Sequence, residues 1–117
     1  MSKIGLIQKN DYFDLTIDGV SVGGAWVGQT EIVPNKDFMG PNSRVIMNFN
    51  VLSEHRGKGL GKVLMSRILE NEKQSGTKYL RLGVEIANEV AIKVYEGAGF
   101  TRDGLLYNTM HYMWKKL

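Results

Sequence analysis

The chain has 117 residues, 43% of them hydrophobic and 23% charged, with a formal net charge of +3; this is the composition of one ordinary globular domain, 1–117, large enough to bury a core. No Cys and only two His, His55 and His111, exclude a disulfide framework and a thiolate metal centre, so no metal is expected. No apolar stretch approaches a membrane span and the first residues lack a secretory apolar core, which predicts a cytoplasmic protein without a membrane partner; the mild positive charge suits an anionic ligand such as a nucleotide and does not argue for nucleic acid.

Residues 4–8 form a short apolar run, and Asn10-Asp11 is a turn signal. Residues 12–17 alternate through Phe13, Leu15 and Ile17, Asp18-Gly19 signals a hairpin, and residues 20–27 alternate again through Val20, Val22 and Trp26. The start therefore predicts a three-stranded antiparallel meander. Residues 28–43 hold both prolines with Asn35, Gly40 and Asn42, and a loop this long is either a plain connector or a lid over substrate. Residues 44–52 read as a central strand. Leu60, Val63, Leu64, Ile68 and Leu69 fall on one face of a helix over 59–75, stopped by Gly76. Residues 79–84 form a strand. Asn88 is an N-cap for a short helix carrying Ala91, Ile92, Val94 and Tyr95, ended by Gly97 and Gly99. Residues 105–107 and 110–114 are two last strands around a turn at Asn108-Thr109. The order βββ-β-α-β-α-β-β predicts an α+β fold, a mostly antiparallel sheet of about seven strands with two main helices.

Arg56-Gly57-Lys58-Gly59-Leu60-Gly61-Lys62 lies where the central strand gives way to the first helix. Glycines let the main chain approach a ligand and adopt positive φ. The free N–H groups of a helix start make an anion site, and Lys58 and Lys62 add charge. Two familiar phosphate loops do not match. A Walker A loop needs Ser or Thr where Val63 stands and Gly where Arg56 stands. A dinucleotide fingerprint has Lys62 in place of its last glycine. A plain turn would have no use for three glycines flanked by Arg and Lys.

These residues resemble the pyrophosphate motif of the GNAT superfamily of acetyl-CoA-dependent N-acetyltransferases, here Arg56, Gly59 and Gly61. Upstream, Val51, Ser53 and Glu54 match the family's strand-exit pattern, with Ser53 where Pro is more common. A second family element follows as Val84, Asn88, Ala91, Tyr95, Gly99 and Phe100. The likeness runs from about residue 12 to the C-terminus. It implies a GNAT-like twisted sheet, acetyl-CoA as co-substrate, an amine acceptor, and direct attack of that amine on the thioester. By the same resemblance Arg56, Gly57, Lys58, Gly59, Gly61 and Lys62 hold the pyrophosphate, and Val51 pairs its main chain with the pantetheine amides. An amide near Val51 or Leu52 stabilises the oxyanion, Asn88 reaches the pantetheine arm, and Tyr95 assists the departing thiolate. Lys93 is a candidate for a CoA phosphate, or a solvated lysine.

The general base stays open. Val45 and Met47 stand where some family members carry Glu or His. Glu85 shares strand parity with Gly83, a position where one branch places its catalytic Glu. Glu31 and Asp37 of the long loop, or a water chain, are alternatives. His55 reads as an exposed turn residue, and Trp26, Phe49, Phe100 and Trp114 as core or sheet-face aromatics. The front departs from the family, whose members usually place two helices between the first two strands, walling one side of the acceptor site. A direct turn there leaves that face open, walled by the loop 28–43, or completed by a second copy in a homodimer. An open face suits a protein or peptide amine as well as a small molecule; no acidic run marks the loop for a polyamine. The rival reading is a catalytically weak acyl-CoA-binding module of the same fold.

Overall fold

The computed structural model describes residues 4–9, 11–36 and 40–117. The chain runs β1 (Ile4–Lys9), β2 (Tyr12–Ile17), β3 (Val20–Gly28), β4 (Ser43–Val51), a 3-10 turn (Ser53–His55), α1 (Leu60–Gln74), β5 (Tyr79–Glu85), α2 (Glu89–Gly97), β6 (Thr101–Leu106) and β7 (Met110–Lys116). The strands form one seven-stranded sheet in the order β1-β2-β3-β4-β5-β7-β6, antiparallel everywhere except between β4 and β5. This is the expected α+β architecture.

The front meander follows from alternation and turn chemistry. Asp18 and Gly19 both take positive φ, 51° and 83°, which matches the twist of a two-residue hairpin. β1 pairs with β2 from Ile4–Ile17 to Lys9–Tyr12, so no helix separates them; Asn10 lies outside the described residues. The last hairpin turns one residue earlier than expected. Tyr107 and Asn108 are its positive-φ pair, and the Thr109 amide donates to Leu106 O at 3.2 Å. β6 also starts earlier than the alternation predicts, at Thr101. A bulge between Arg102 and Leu105, with Gly104 at φ 84°, interrupts its period.

β4 and β5 pair only at Ser43–Tyr79, Arg44–Leu80 and Val45–Arg81. Beyond that point β4 stays with β3 and β5 stays with β7, so the centre of the sheet opens into a split. β4 also carries a bulge. Trp26 pairs with Met47 but Gly24 pairs with Asn50, so Ala25 faces two residues, Asn48 and Phe49, and Asn48 sits at φ 53°. The extra residue changes which side chains face the helices. Ile46 is buried in the helix-side core, and Phe49 and Val51 pack against that same core. Val45 and Met47 belong to the other face.

The helix-side core joins Phe13, Leu15, Val27, Ile46, Leu80, Leu82 and Met113 of the sheet to Leu60, Leu64, Met65 and Ile68 of α1 and Ile92 and Tyr95 of α2. The second face has a smaller cluster, Val33, Val45, Leu106 and Tyr112, edged by Met47, Met110 and Trp114. The loop after β3 covers it. Arg81, 2% exposed, donates from Nη1 to Val33 O at 2.7 Å and from Nε to Ser43 Oγ at 2.5 Å. Tyr107 Oη donates to Ile32 O at 2.9 Å. This part of the loop is therefore a packed cover for one half of the face.

Glu72 is fully buried at the end of α1. Its Oε1 accepts from Thr77 Oγ1 at 2.9 Å and faces Arg44 Nε at 3.3 Å. This ties the end of α1 to the strand that forms one side of the split. Removing one partner of a buried ionic network typically costs about 3 kcal/mol or more. Glu72→Ala should lower the unfolding free energy in urea by about 3 kcal/mol, and Glu72→Gln, which keeps the acceptor for Thr77, by less.

Candidate active site

The split and the start of α1 adjoin. After β4 and the 3-10 turn, Gly57 and Gly59 take φ 78° and 77°, a left-handed conformation that strains other residues. Gly59 is the N-cap of α1. It offers no side-chain cap, and the first turn holds no acidic residue. The first bond of the helix is from Val63 N to Gly59 O at 3.2 Å. The amides of Leu60, Gly61 and Lys62 therefore lack partners among the described residues, as at any uncapped helix start. A Cβ at Gly57 or Gly59 would meet nothing within 4 Å, so open space lies before those amides. Arg56, Lys58 and Lys62 are exposed around it. Arg56 turns back, its Nε donating to Val51 O at 2.8 Å, and braces the loop on the strand end.

Main-chain groups of a strand alternate between its two neighbours. Leu52 N donates to Val22 O at 2.8 Å, on the β3 side, so its amide is not free for an oxyanion. That phase turns the amides of Val51 and Phe49 toward the split. Phe49 escaped the sequence reading because only the bulge at Asn48 brings it, with Val51, onto the helix side with Ile46; regular alternation would have placed it with Val45 and Met47. The one cue was an Asn, which tolerates positive φ better than most residues.

Tyr95 lies on the inner face of α2, 5% exposed. Its ring stands edge-on to Phe49 at 5.5 Å and tilted to Phe100 at 6.1 Å. Its hydroxyl has no hydrogen-bond partner among the described residues, and burial pushes its pKa up, so it is a neutral donor at physiological pH. Asn88 caps α2, Oδ1 accepting from Ala91 N at 3.2 Å; its Nδ2 is not engaged by that cap. Between the helices runs a groove of about 340 Å³, lined by Lys62, Met65, Ser66, Leu69, Val94, Gly97 and Ala98. Lys93 is exposed on α2 and is not part of that lining.

Glu85 ends β5, exposed, opposite Met110 and in phase with Gly83 and Arg81. That is the sheet face opposite Tyr95. Glu31 is exposed in the loop, and Asp37 lies outside the described residues. His55 differs from expectation. It is half-buried, and its Nδ1 is buried without a partner. Of the aromatics, Phe100 is core, Phe49 and Trp114 edge the two clusters, and Trp26 is 46% exposed on the sheet face. Among the described residues no group of three or more His, Asp or Glu could hold a metal, and no helix is long and apolar enough to cross a membrane.

Residues 5–100 match the model of the Acetyltransferase (GNAT) family. The chain belongs to that family. Among curated relatives, "Probable N-acetyltransferase family 8 member 5" of Mus musculus is 31% identical over 83 residues, 70% of this chain and 37% of that protein. "L-amino acid N-acyltransferase MnaT" of Escherichia coli is 29% identical over 65 residues, 56% of this chain and 38% of that protein. The GNAT chain thus matches little more than a third of either relative's length. Among solved structures, a Bacillus subtilis acetyltransferase in complex with CoA superposes with a TM-score of 0.77 at 14% identity, over 100% of this chain and 99% of that one. A Thermoplasma acidophilum PaiA N-acetyltransferase in complex with coenzyme A gives 0.75 at 20% identity, over 91% and 60%. These structural likenesses carry the fold. The first of them is matched over nearly its whole length.

Proposed function

We propose that this GNAT domain transfers an acetyl group from acetyl-CoA to a primary amine by direct attack. The observation that carries the proposal is the row of unpartnered amides at Leu60, Gly61 and Lys62, opening onto empty space beside a split between two central strands. That arrangement fits a diphosphate followed by a thioester arm. Gly57 and Gly59 let the main chain come close, and Lys58 and Lys62 supply countercharge. Asn88 Nδ2 serves the pantetheine arm, Val51 its amides, and Lys93 is left to solvent or a terminal phosphate.

The acceptor determines the hardest step. An alkylamine with pKa about 10.4 is almost wholly protonated at pH 7, and removing the proton costs roughly 4–5 kcal/mol. Glu85, at the mouth of the split on the far face, takes that proton directly or through water. The freed amine attacks the thioester carbon. The Phe49 and Val51 amides stabilise the oxygen that gains charge. Collapse expels the thiolate, to which Tyr95 donates a hydrogen bond from the helix side, and the nitrogen sheds its remaining extra proton to solvent water to leave the neutral amide. Base and donor thus act from opposite faces. The open front suits the end of a protein or peptide chain as well as a small amine.

Asn88 separates cap from contact. Asn88→Ser keeps a capping oxygen and should leave thermal stability nearly unchanged while raising the KM for acetyl-CoA several-fold. Asn88→Ala should also lose about 1 kcal/mol of stability. The overall test is release of free thiol from acetyl-CoA with a panel of amines, beside a CoA titration. Turnover on at least one amine supports the proposal; CoA binding without turnover on any would make the domain an acyl-CoA-binding module.

A further inference from the structure

On the face away from the helices, the first β4 side chain past the point where the strands part is Met47. On β5 the corresponding stretch holds Gly83, which contributes no side chain. A Cβ there would meet Leu106 Cδ1 at 3.3 Å and Met110 Cε and Sδ at 3.5 Å. The mouth of the split on this face is therefore bordered by Met47, Met110 and Leu106, an apolar and, through its methionines, adaptable rim. The surface continues sideways. Met47 pairs across strands with Trp26, and Trp26 with Tyr12, their rings 4.9 Å apart and tilted by 51°. Among the described residues no helix covers this ledge: α1 and α2 pack on the opposite face, and β1 pairs with β2 along its whole length. The loop after β3 lies instead over Val45 and Tyr112.

The charges on the same face are uneven. Asp14 accepts from Ser21 Oγ at 2.5 Å and Asp103 from Trp114 Nε1 at 3.2 Å. Glu85 has no ion-pair partner among the described residues, and stands at the mouth. Arg81 is buried beneath the face without a carboxylate within ion-pair distance among those residues, and Lys36 Nζ lies 4.8 Å from the Tyr112 ring centroid. Of the β-strand carboxylates on this face Glu85 is the one that stands at the mouth, so the mouth offers a single negative group and favours one ammonium over several. An exposed Trp braced by Tyr favours a flat apolar body next to it.

We propose that the acceptor is a primary amine with a single positive charge beside a bulky apolar group, and that Trp26 and Met47 form the ledge that binds this group. This rests on the transferase reading above. The same chemistry is offered by a free arylalkylamine and by the N-terminal residue of a peptide, so both enter the test.

The full chain is assayed with 2-phenylethylamine, a peptide beginning with Phe, a peptide beginning with Gly, and spermidine. The wild type should favour each aromatic amine over its comparison amine by about tenfold or more in kcat/KM. Trp26→Ala should bring those ratios close to one, and Trp26→Phe should restore part of the preference. The CoA dissociation constant should stay within about twofold in both variants, which also reports an intact fold. Preference for 2-phenylethylamine alone points to a small acceptor; preference extending to the Phe peptide points to a chain terminus. The proposal is overturned if spermidine or the Gly peptide is preferred, or if Trp26→Ala changes all amines equally. Turnover in those cases leaves the transferase reading standing; no turnover on any amine removes both.

Discussion

Tyr95→Phe should lower kcat by about 100-fold while leaving CoA affinity and thermal stability close to wild type. The magnitude is the low end of what a positioned proton or hydrogen-bond donor contributes to a transition state. The ring is held by Phe49 and Phe100, and Phe keeps those contacts. The hydroxyl has no partner among the described residues, so removing it leaves no other group unsatisfied. The direction of the pKa shift refines the role. An ordinary phenol at about 10 is already a weaker acid than a thiol at about 8.5, so full proton transfer to the thiolate is uphill by roughly 2 kcal/mol. Burial raises Tyr95 further. In the proposed mechanism it acts as a hydrogen-bond donor to sulfur and not as a proton donor, and the kcat–pH profile should show no limb from it between pH 6 and 9. Its raised folded-state value stabilises the fold fully below the unfolded phenol's pKa of about 10. That contribution is lost only as pH climbs from there through the raised value. An unchanged kcat in Tyr95→Phe would remove the residue from the mechanism.

Gly57→Asp should weaken CoA binding by about 100-fold, and Gly57→Asn far less. Both substitutions place a side chain of nearly equal size at φ 78°, where a Cβ meets nothing within 4 Å. Asp and Asn both tolerate left-handed backbone better than most residues. Backbone strain is therefore similar in the two, and what separates them is charge. A carboxylate set before the unpartnered amides competes for them and repels a diphosphate, and like-charge juxtaposition costs several kcal/mol at a desolvated contact. The comparison is read by calorimetry, with circular dichroism as the control for folding. Equal affinity in the two variants would mean that no anion sits at this loop.

The order of elements was legible because it rests on local signals. Alternation marked β2 and β3, Asp18-Gly19 set their turn, helical spacing from Leu60 to Leu69 marked α1, and Asn88 announced α2. What stayed hidden depends on partners distant in the chain. A bulge is defined by the strand opposite, so nothing in Asn48-Phe49-Asn50 alone reveals that Phe49 joins the helix side. The strand predicted at 105–107 missed the first half of β6, since the bulge and Gly104 break the alternation there and its pairing to β7 is what holds it extended. The loop 28–43 read as lid or connector, and its packed role became visible only with Arg81 reaching Val33 O. Nothing in the helical spacing singled out Glu72, whose burial depends on Arg44 and Thr77. In the candidate site the phosphate-loop glycines were legible because their spacing is tied to their chemistry. The choice among bases was not, because strand parity gives Glu85 a face but not a substrate.

The account rests most heavily on the amides that open α1. Isotope-labelled protein titrated with CoA, and separately with pantetheine, which lacks the diphosphate, tests them by nitrogen–proton correlation spectra. The account predicts large shifts at Leu60, Gly61 and Lys62 with CoA and little movement at those three with pantetheine. Binding of CoA that leaves these amides unmoved, or no binding at millimolar concentration, would contradict it.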